Sequence, residues 1–402
     1  MTRRICIVTG TRAEYGLLRN VIAGIRDADD CLLQIVVTAA HLSPEFGLTY
    51  REIEADGFTI NERVEILLSS DTAVGVSKAM GLGMIGFAEA FSRLEPDVIV
   101  VLGDRFEILA AAAAALIAGI PIAHIHGGET TEGAFDESIR HAVTKMSHLH
   151  FVAATPYRDR VIQLGENPAH VFLVGGLGID AIRRTSLLGR TALEEAIDFQ
   201  LGARNLLVTF HPPTLEPGEA GGQMQALLDA LDALGSDTHL IFTMPNANSG
   251  GRELKAMIEE FVASHANARA YTSLGQLRYF SCMRYMDGVV GNSSSGIIEA
   301  PSFGIGTIDI GDRQRGRLRA ASVIDCPPRR DAIESALARL FSAEFQGRLA
   351  AVDNPYGNGG ASAAIVAELR RHPLNGLLKK TFHDMDVGKT RDSRDAGGRK
   401  VA

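Results

Sequence analysis

The sequence has little of what marks several specialised classes of protein. Only four of its 402 residues are cysteines, and no two of them form a C-x-x-C pair. They lie mostly in apolar surroundings, so we expect buried thiols rather than disulfides or a zinc site. No run of basic residues occurs and the net charge is −8, which argues against nucleic acid as a partner.

The longest apolar stretch, from Ile108 to Ala123, does not predict a membrane span. It is rich in alanine and contains Gly119 and Pro121, a pattern that indicates a helix, a turn and a buried strand. The amino-terminal MTRRICIVTG has only a short apolar run, unlike a secretory signal. We therefore expect a cytoplasmic protein without a membrane partner.

Short apolar strands alternate with helical patterns along the chain. RICIVT, LQIVVT, DVIVVLG, PIAHIHG and HVFLVGG form a first set, and NLLVTF, THLIFTM, ARAYT, MDGVVG and IGTIDI form a second set after the glycine-rich VGGLGIDAI. Such strands are typical of parallel sheets covered on both faces. The chain is also longer than most single cores. These features predict an α/β protein with two Rossmann-like, doubly wound domains and a cleft between them.

We place the two domains at residues 1–175 and 176–353. A final helix within 354–375 is expected to pack back on the first domain. The polar residues 376–402 are predicted to form a disordered tail.

In doubly wound sheets, ligands bind outside the carboxyl ends of the strands. The loops that follow the predicted strands are rich in glycine and polar residues: GTRAEYG, AAHLSPEFG, GDRFE, HIHGGE, HPPTLE, MPNANSGGR, GNSSSG and DIGDRQRGR. We expect these loops to build the functional site.

GNSSSG indicates a phosphate site in the second domain. It follows a predicted strand and precedes a helix expected to start near Ile297, and free N–H groups at a helix start attract anions. Ser293 and Ser294 add hydroxyl donors, and Glu299 suits ribose hydroxyls. A plain N-cap is the alternative reading of these serines.

Arg12 and Arg313 lie just past strand ends. Each is suited to hold a diphosphate through paired donors, and a surface salt bridge is the alternative. The Arg12 loop lacks the G-x-G-x-x-G spacing, so no dinucleotide cofactor is expected.

Titratable residues gather in three further loops. Asp104, beside Arg105, follows a strand and is either functional or an N-cap. His211 precedes two prolines at a rigid strand end, which favours acid–base or phosphate chemistry over a core position. Asn246, after another strand, is a candidate to contact a base or a sugar amide.

The segment HIHGGE carries His124 and His126, which are predicted to share one strand face. Two imidazoles and a third ligand, from Glu129, Asp136 or His141, would be needed to chelate a metal ion. No second set of ligands completes a site, and we predict no metal. Asp136 opens the next helix, where the dipole favours a carboxylate. A capped, salt-bridged first turn is the alternative.

Taken together and in this order, the segments resemble those of the hydrolysing UDP-N-acetylglucosamine 2-epimerase family. The resemblance rests on GTRAEYG, AHLSPEFGLTYREIEADGF, GDRFEILA, GGE with DESIRHAVTK, HPPTLE, MPNANSGGR, GNSSSGIIE and NPYGNG, from about Arg4 to Arg371. It implies a glycosyltransferase-B-type fold and a place in nonulosonic, sialic-type acid synthesis.

The resemblance also implies residue roles. Asp104 and Asp136 would handle protons, and His41 and Arg105 would line the sugar pocket. His126 stands where the family often carries Glu, so His126 or Glu129 would have to take that acid–base role. Contacts to uridine diphosphate are implied for Arg12, His211, Asn246, Ser293, Ser294, Glu299 and Arg313.

The implied reaction converts UDP-N-acetylglucosamine to N-acetylmannosamine and UDP through a glycal intermediate and needs no cofactor. The same chemistry on UDP-2,4-diacetamido-2,4,6-trideoxyglucose is an alternative, as are a non-hydrolysing epimerase, a glycosyltransferase and a nucleotide-sugar-binding protein. A homodimer or higher homo-oligomer is expected.

Overall fold

A computed structural model describes residues 2–68, 72–132, 135–212, 218–245 and 251–385. Within them the chain forms two parallel sheets, each flanked by helices, as the alternating pattern predicted. The first sheet has seven strands in the order β3-β2-β1-β4-β5-β6-β7, and the second has six in the order β10-β9-β8-β11-β12-β13.

Over the residues described, the N-terminal half contains the first sheet and six α-helices. Its elements are β1 (Arg3–Thr9), α1 (Arg12–Arg26), β2 (Cys31–Thr38), α2 (Tyr50–Ala55), β3 (Glu62–Val64), α3 (Ala73–Leu94), β4 (Val98–Leu102), α4 (Phe106–Ile117), β5 (Ile122–Ile125), α5 (Asp136–Met146), β6 (Leu149–Val152), α6 (Thr155–Gln163) and β7 (Val171–Leu173).

The second half repeats the architecture. Its elements are α7 (Leu177–Arg184), α8 (Arg190–Ile197), β8 (Arg204–Thr209), α9 (Ala220–Asp232), β9 (Thr238–Thr243), α10 (Gly251–Ser264), β10 (Ala268–Tyr271), α11 (Gly275–Met283), β11 (Gly288–Gly291), α12 (Ser294–Ile298), β12 (Gly306–Ile310), β13 (Val323–Cys326), α13 (Arg330–Leu340), α14 (Ala343–Leu349) and α15 (Ala361–Arg371).

Hydrophobic periodicity explains how the helices cover the sheets. In α1, Leu18, Val21, Ile22 and Ile25 recur at helical spacing and are fully buried against the first sheet. The helix begins where the Thr11 side chain accepts a hydrogen bond from the Glu14 N–H at 3.3 Å.

Three strands were missed by the sequence prediction: β3, β6 and β13. β3 and β13 are edge strands of three and four residues that carry charged side chains, so neither shows a continuous apolar run. β6 contains His150, which is buried against Glu166 rather than exposed. The helix expected near Ile297 begins three residues earlier, at Ser294.

The final helix lies against the first half. α15 packs on α1 and α7, with Ala361 and Ile365 in the N-terminal core. The carboxylate of Asp180, in α7, accepts hydrogen bonds from the backbone N–H groups of Gly360, Ala361 and Ser362. α7 therefore anchors the start of α15.

The first residues of the predicted tail belong to the folded domain. Lys380 Nζ lies 2.6 Å from Glu166 and 2.7 Å from the carbonyl oxygen of Lys145, and the Phe382 ring lies against Gly165. The prediction of disorder is therefore wrong for residues 376–385. It rested on the polar composition of the segment, which does not reveal these contacts. Residues 386–402 lie outside the described part of the chain.

Two compositional predictions can be compared with the fold. All four cysteines are free, and three of them are buried. Over the described residues, one helix, α3, is long and apolar enough by length and composition to cross a membrane. Its Phe87 and Phe91 are buried in a core cluster shared with α4.

Candidate active site

The loops at the carboxyl ends of the two sheets meet. Arg12, at the start of α1, donates to Ser273 Oγ beyond β10 at 2.7 Å. Thr130 Oγ1 donates to the carbonyl oxygen of Gly316 at 2.5 Å. Gly316 has φ 84°, and a Cβ there would lie 2.9 Å from Thr130 Oγ1, so the close approach requires glycine. The predicted cleft therefore has walls from both halves.

Arg140 organises the N-terminal wall. This arginine is 1% exposed, and its guanidinium donates to the carboxylates of Asp104 and Glu137, the latter at 2.6 Å. It also donates to Thr131 Oγ1 and to the carbonyl oxygen of Glu129, both at 2.8 Å. Asp104 therefore does not cap α4, whose N-cap residue is Arg105; its carboxylate turns to the buried cation instead.

Asp136 lies at the first position of α5, close to Asp104. Burial raises the Asp136 pKa, and the charge of Asp104 raises it further, against the opposing charges of Arg105 and Arg140. Two neighbouring carboxyl groups with different environments are the arrangement that separates a proton donor from a proton acceptor.

His126 and Glu129 form a second polar pair. β5 ends at Ile125, and His126 follows with a positive φ of 65°, so His124 and His126 do not share a strand face as predicted. His126 Nδ1 lies 2.6 Å from Glu129 Oε1. Burial opposes ionisation of Glu129, but the contacts with His126 and Arg317 outweigh it and lower its pKa to about 2.

Two of the histidines considered for the site are buried and form hydrogen bonds beneath the loops. His124 is fully buried, with Nε2 2.8 Å from the Gly103 carbonyl oxygen and Nδ1 3.1 Å from Thr144 Oγ1. His41 is also fully buried between Thr9 and Thr49, at 3.1 and 2.8 Å. Burial lowers the His41 pKa to about 4 and the His124 pKa to about 3. The structure thus presents neither ring to the cleft.

Arg105 lies over two buried glutamates. Its Nε is 2.5 Å from Glu107 and 3.8 Å from Glu14, and its side chain is 44% exposed. Burial and the Glu107 charge raise the pKa of Glu14, against the charge of Arg105. The sequence reading missed both glutamates, although Glu14 belongs to the GTRAEYG motif.

Asn292 organises the C-terminal wall. Its Oδ1 accepts from the His211 N–H at 2.7 Å, and its Nδ2 donates to the His211 carbonyl oxygen at 2.8 Å. Its own carbonyl oxygen accepts from Arg313 at 3.0 Å and from Gln314 at 2.9 Å. One residue therefore joins three loops, through its side-chain amide and its backbone carbonyl, and it lies between His211 and Arg313.

The serine turn leads into α12. Ser293 is the N-cap, with its side chain accepting from the Ser295 N–H at 3.4 Å, and Ser294 is the first helical residue. At the end of α12, burial raises the Glu299 pKa to about 7. A Cβ on Gly178 would lie 2.6 Å from Glu299 Oε1, so α7 approaches this carboxyl closely.

Some predicted positions cannot be compared. Asn246 lies outside the described residues, as do 213–217 of the HPPTLE loop.

Arg140, Asn292 and Arg317 form most of the contacts that organise the site, yet the prediction gave none of them a role. Asn292 and Arg317 belong to polar motifs that follow strands, whereas Arg140 lies inside helix α5.

The fold and the site together define a class of protein architecture. Two doubly wound parallel domains with polar loops along the cleft make a glycosyltransferase-B-type architecture. A solved UDP-GlcNAc 2-epimerase from Neisseria meningitidis, bound to UDP-GlcNAc, has the same fold, with a TM-score of 0.79 at 19% identity over 91% of this chain and 99% of that one.

The UDP-N-acetylglucosamine 2-epimerase family model matches residues 24–370. The chain belongs to the hydrolysing UDP-N-acetylglucosamine 2-epimerase family and is a hydrolysing 2-epimerase of nucleotide sugars. It is 41% identical to the GDP/UDP-N,N'-diacetylbacillosamine 2-epimerase (hydrolyzing) of Campylobacter jejuni, over 95% of this chain and 99% of that protein. It is 36% identical to the UDP-N,N'-diacetylbacillosamine 2-epimerase (hydrolyzing) of Legionella pneumophila, over 94% and 98%. A UDP-N-acetylglucosamine 2-epimerase of Neisseria meningitidis is 31% identical, over 96% and 100%.

Proposed function

We propose that the chain converts UDP-N,N'-diacetylbacillosamine and water to UDP and the free 2,4-diacetamido-2,4,6-trideoxymannose. The supporting observation is the 41% and 36% identity, over nearly the whole chain, to relatives named for that substrate, against 31% to one named for UDP-N-acetylglucosamine. UDP-N-acetylglucosamine, the first expectation from the sequence, becomes the second candidate.

The reaction has two steps. A base removes the proton from C2 while the C1–O bond to the diphosphate breaks, which leaves a C1=C2 glycal and free UDP. Water oxygen then bonds to C1, and an acid delivers a proton to C2 from the opposite face. The C2 hydrogen is barely acidic, so departure of the diphosphate must accompany its removal.

Asp104 and Asp136 are the proton carriers at C2. They lie close together in one wall, and the raised pKa of Asp136 favours the protonated form that a proton donor needs. Arg140 holds the carboxylate of Asp104 in place. Such positioned acid–base groups typically contribute about 10²–10⁴ in rate.

The C-terminal wall receives the leaving group. Arg313, Ser293 and Ser294 supply donors for the diphosphate, and Asn292 fixes the loops that carry Arg313 and His211. Preorganised donors stabilise the charge that develops as the C1–O bond breaks. Arg12 and Glu299 are assigned to the same nucleotide, Glu299 through the ribose hydroxyls.

Proton NMR in D2O tests the proposal. The protein is incubated with each nucleotide sugar in turn, and UDP release, product configuration and deuterium at C2 are followed. We expect a manno-configured free sugar deuterated at C2, with a higher kcat/KM for the diacetamido substrate. A preference for UDP-N-acetylglucosamine would transfer the proposal to the second candidate. No turnover of either would contradict the proposed function.

Asp136→Asn serves as the catalytic variant. It removes one proton carrier, so we expect kcat to fall by about 10²–10⁴ while UDP still binds in calorimetry. Asp159→Asn, at an exposed position of α6, is the matched control and is expected to retain full activity. Near-normal turnover by Asp136→Asn would remove Asp136 from the mechanism.

A further inference from the structure

The His126–Glu129 pair lies against the C-terminal domain. Glu129 Oε1 contacts His126 Nδ1 at 2.6 Å, and Glu129 Oε2 accepts from Arg317 Nη1 at 3.1 Å. Arg317 follows β12 of the second sheet, so this contact joins the two halves. Glu129 is 4% exposed, and its two carboxylate oxygens are occupied by these partners.

The second ring nitrogen of His126 has a different environment. Nε2 is buried and has no hydrogen-bond partner in the described part of the chain. A carboxylate at Nδ1 favours the tautomer with the proton on Nδ1, which leaves a lone pair on Nε2. A buried acceptor without a partner is unfavourable, so a bound ligand is expected to use it. From the second half, Arg317 and Glu299 interact electrostatically with the pair.

We propose that Glu129 and Arg317 are positioning residues that hold His126 as the Nδ1–H tautomer, and that Nε2 is the base for water. The inference rests on the proposed function. As the water oxygen bonds to C1 of the glycal, Nε2 takes one of its protons and later releases it to solvent, while C2 receives its proton from an aspartate.

Glu129 does not touch the substrate in this arrangement. Because Arg317 comes from the C-terminal half, the pair is complete only where the two halves meet. The arrangement explains how this chain functions with histidine where the resemblance led us to expect glutamate.

The tautomer can be measured without turnover. Protein labelled with 15N-histidine is saturated with UDP, and long-range 1H–15N spectra are recorded, with the His126 signals assigned through His126→Gln. We expect a protonated Nδ1 and an unprotonated Nε2 in the wild type, and mixed tautomers in Glu129→Gln. A proton on Nε2 in the wild type, or an unchanged tautomer in Glu129→Gln, would overturn the proposal.

Kinetics separate the water step from the elimination. In Glu129→Gln and Arg317→Met we expect sugar formation to fall by about 10–100-fold, the usual effect of losing an outer partner of a catalytic group. UDP release should fall less, so that the glycal accumulates in the NMR spectrum. Equal loss of both steps without glycal would contradict the role of Nε2.

Arg317→Lys keeps a cation beside Glu129 and should recover part of the activity. Arg315→Met is the matched control, because Arg315 lies in the same loop, is 67% exposed and pairs with Glu132 and Asp312; it should behave as wild type. If the wild type turned over neither nucleotide sugar, the proposed function would fail, whereas the tautomer measurement would still decide whether Glu129 positions His126.

Discussion

Replacing Arg140 by methionine tests how the N-terminal wall is held together. The side chain is 1% exposed and donates to two carboxylates, one hydroxyl and one carbonyl oxygen. Methionine fills similar space but leaves Asp104 and Glu137 without their cation. Removing one partner of a buried ion pair typically costs about 3–5 kcal/mol.

The two carboxylates set where in that range the loss falls. Their side chains are 26% and 25% exposed, so water can replace part of the lost interaction. We therefore expect a loss of about 3 kcal/mol, near the lower limit for breaking a buried pair. Arg140→Lys keeps the charge but loses the planar fork, and we expect it to lose about 1.5–3 kcal/mol, the worth of one hydrogen bond to a charged group.

Urea unfolding at neutral pH measures both losses. Arg330→Met is the control: Arg330 is 56% exposed and pairs with Glu334 at 2.7 Å, and an exposed pair of this kind contributes little to stability. Arg140→Met should also move the alkaline limb of the activity profile to higher pH, because Arg140 opposes protonation of Asp136, the proposed proton donor. A loss in Arg140→Met no larger than that of the control would refute the reasoning.

Two further predictions concern other parts of the molecule. Asn292→Ala removes both side-chain hydrogen bonds to the His211 backbone and should weaken UDP binding by about tenfold, at ~1.4 kcal/mol; unchanged affinity in calorimetry would exclude this role. Burial opposes ionisation of Glu166, but His150, Lys145 and Lys380 outweigh it and lower its pKa to about 2. A depressed carboxyl pKa stabilises the fold above the unfolded value of 4.5 and less as pH falls toward 2. The stability gap between wild type and Glu166→Gln should therefore narrow in urea unfolding by about 1.4 kcal/mol in total between pH 5.5 and 3.5, most of it below pH 4.5; a constant gap would contradict it.

Several features of the fold followed from local patterns. The run from Ile108 to Ala123 was predicted as helix, turn and strand, and it forms α4 from its third residue to its end, a turn and the start of β5. A helical pattern lies between the predicted strands LQIVVT and DVIVVLG, and helix α3, Ala73–Leu94, forms there. Edge strand β3 escaped prediction because three residues with a charged pattern give no periodic signal.

Some features of the candidate site also followed from local patterns, and others did not. Polar loops at the carboxyl ends of strands were identified from the sequence, because strand order in a parallel sheet brings such loops to one edge. The burial of His41 and Glu129 was not, since both occur in motifs that look solvent-facing. Their environments depend on Thr9 and Arg317, which lie 32 residues before His41 and 188 after Glu129.

The sequence by itself determined the two wound halves, the family and the types of residue in the cleft. Strand-forming runs, helical periodicity and glycine-rich turns act over a few residues, so a linear reading detects them. Only the tertiary structure decided that Arg140 holds Asp104, that Asn292 joins three loops and that Arg317 reaches Glu129 across the cleft. A guanidinium or an amide can pair with many acceptors, and which one it meets depends on the order of strands and the packing of the two domains.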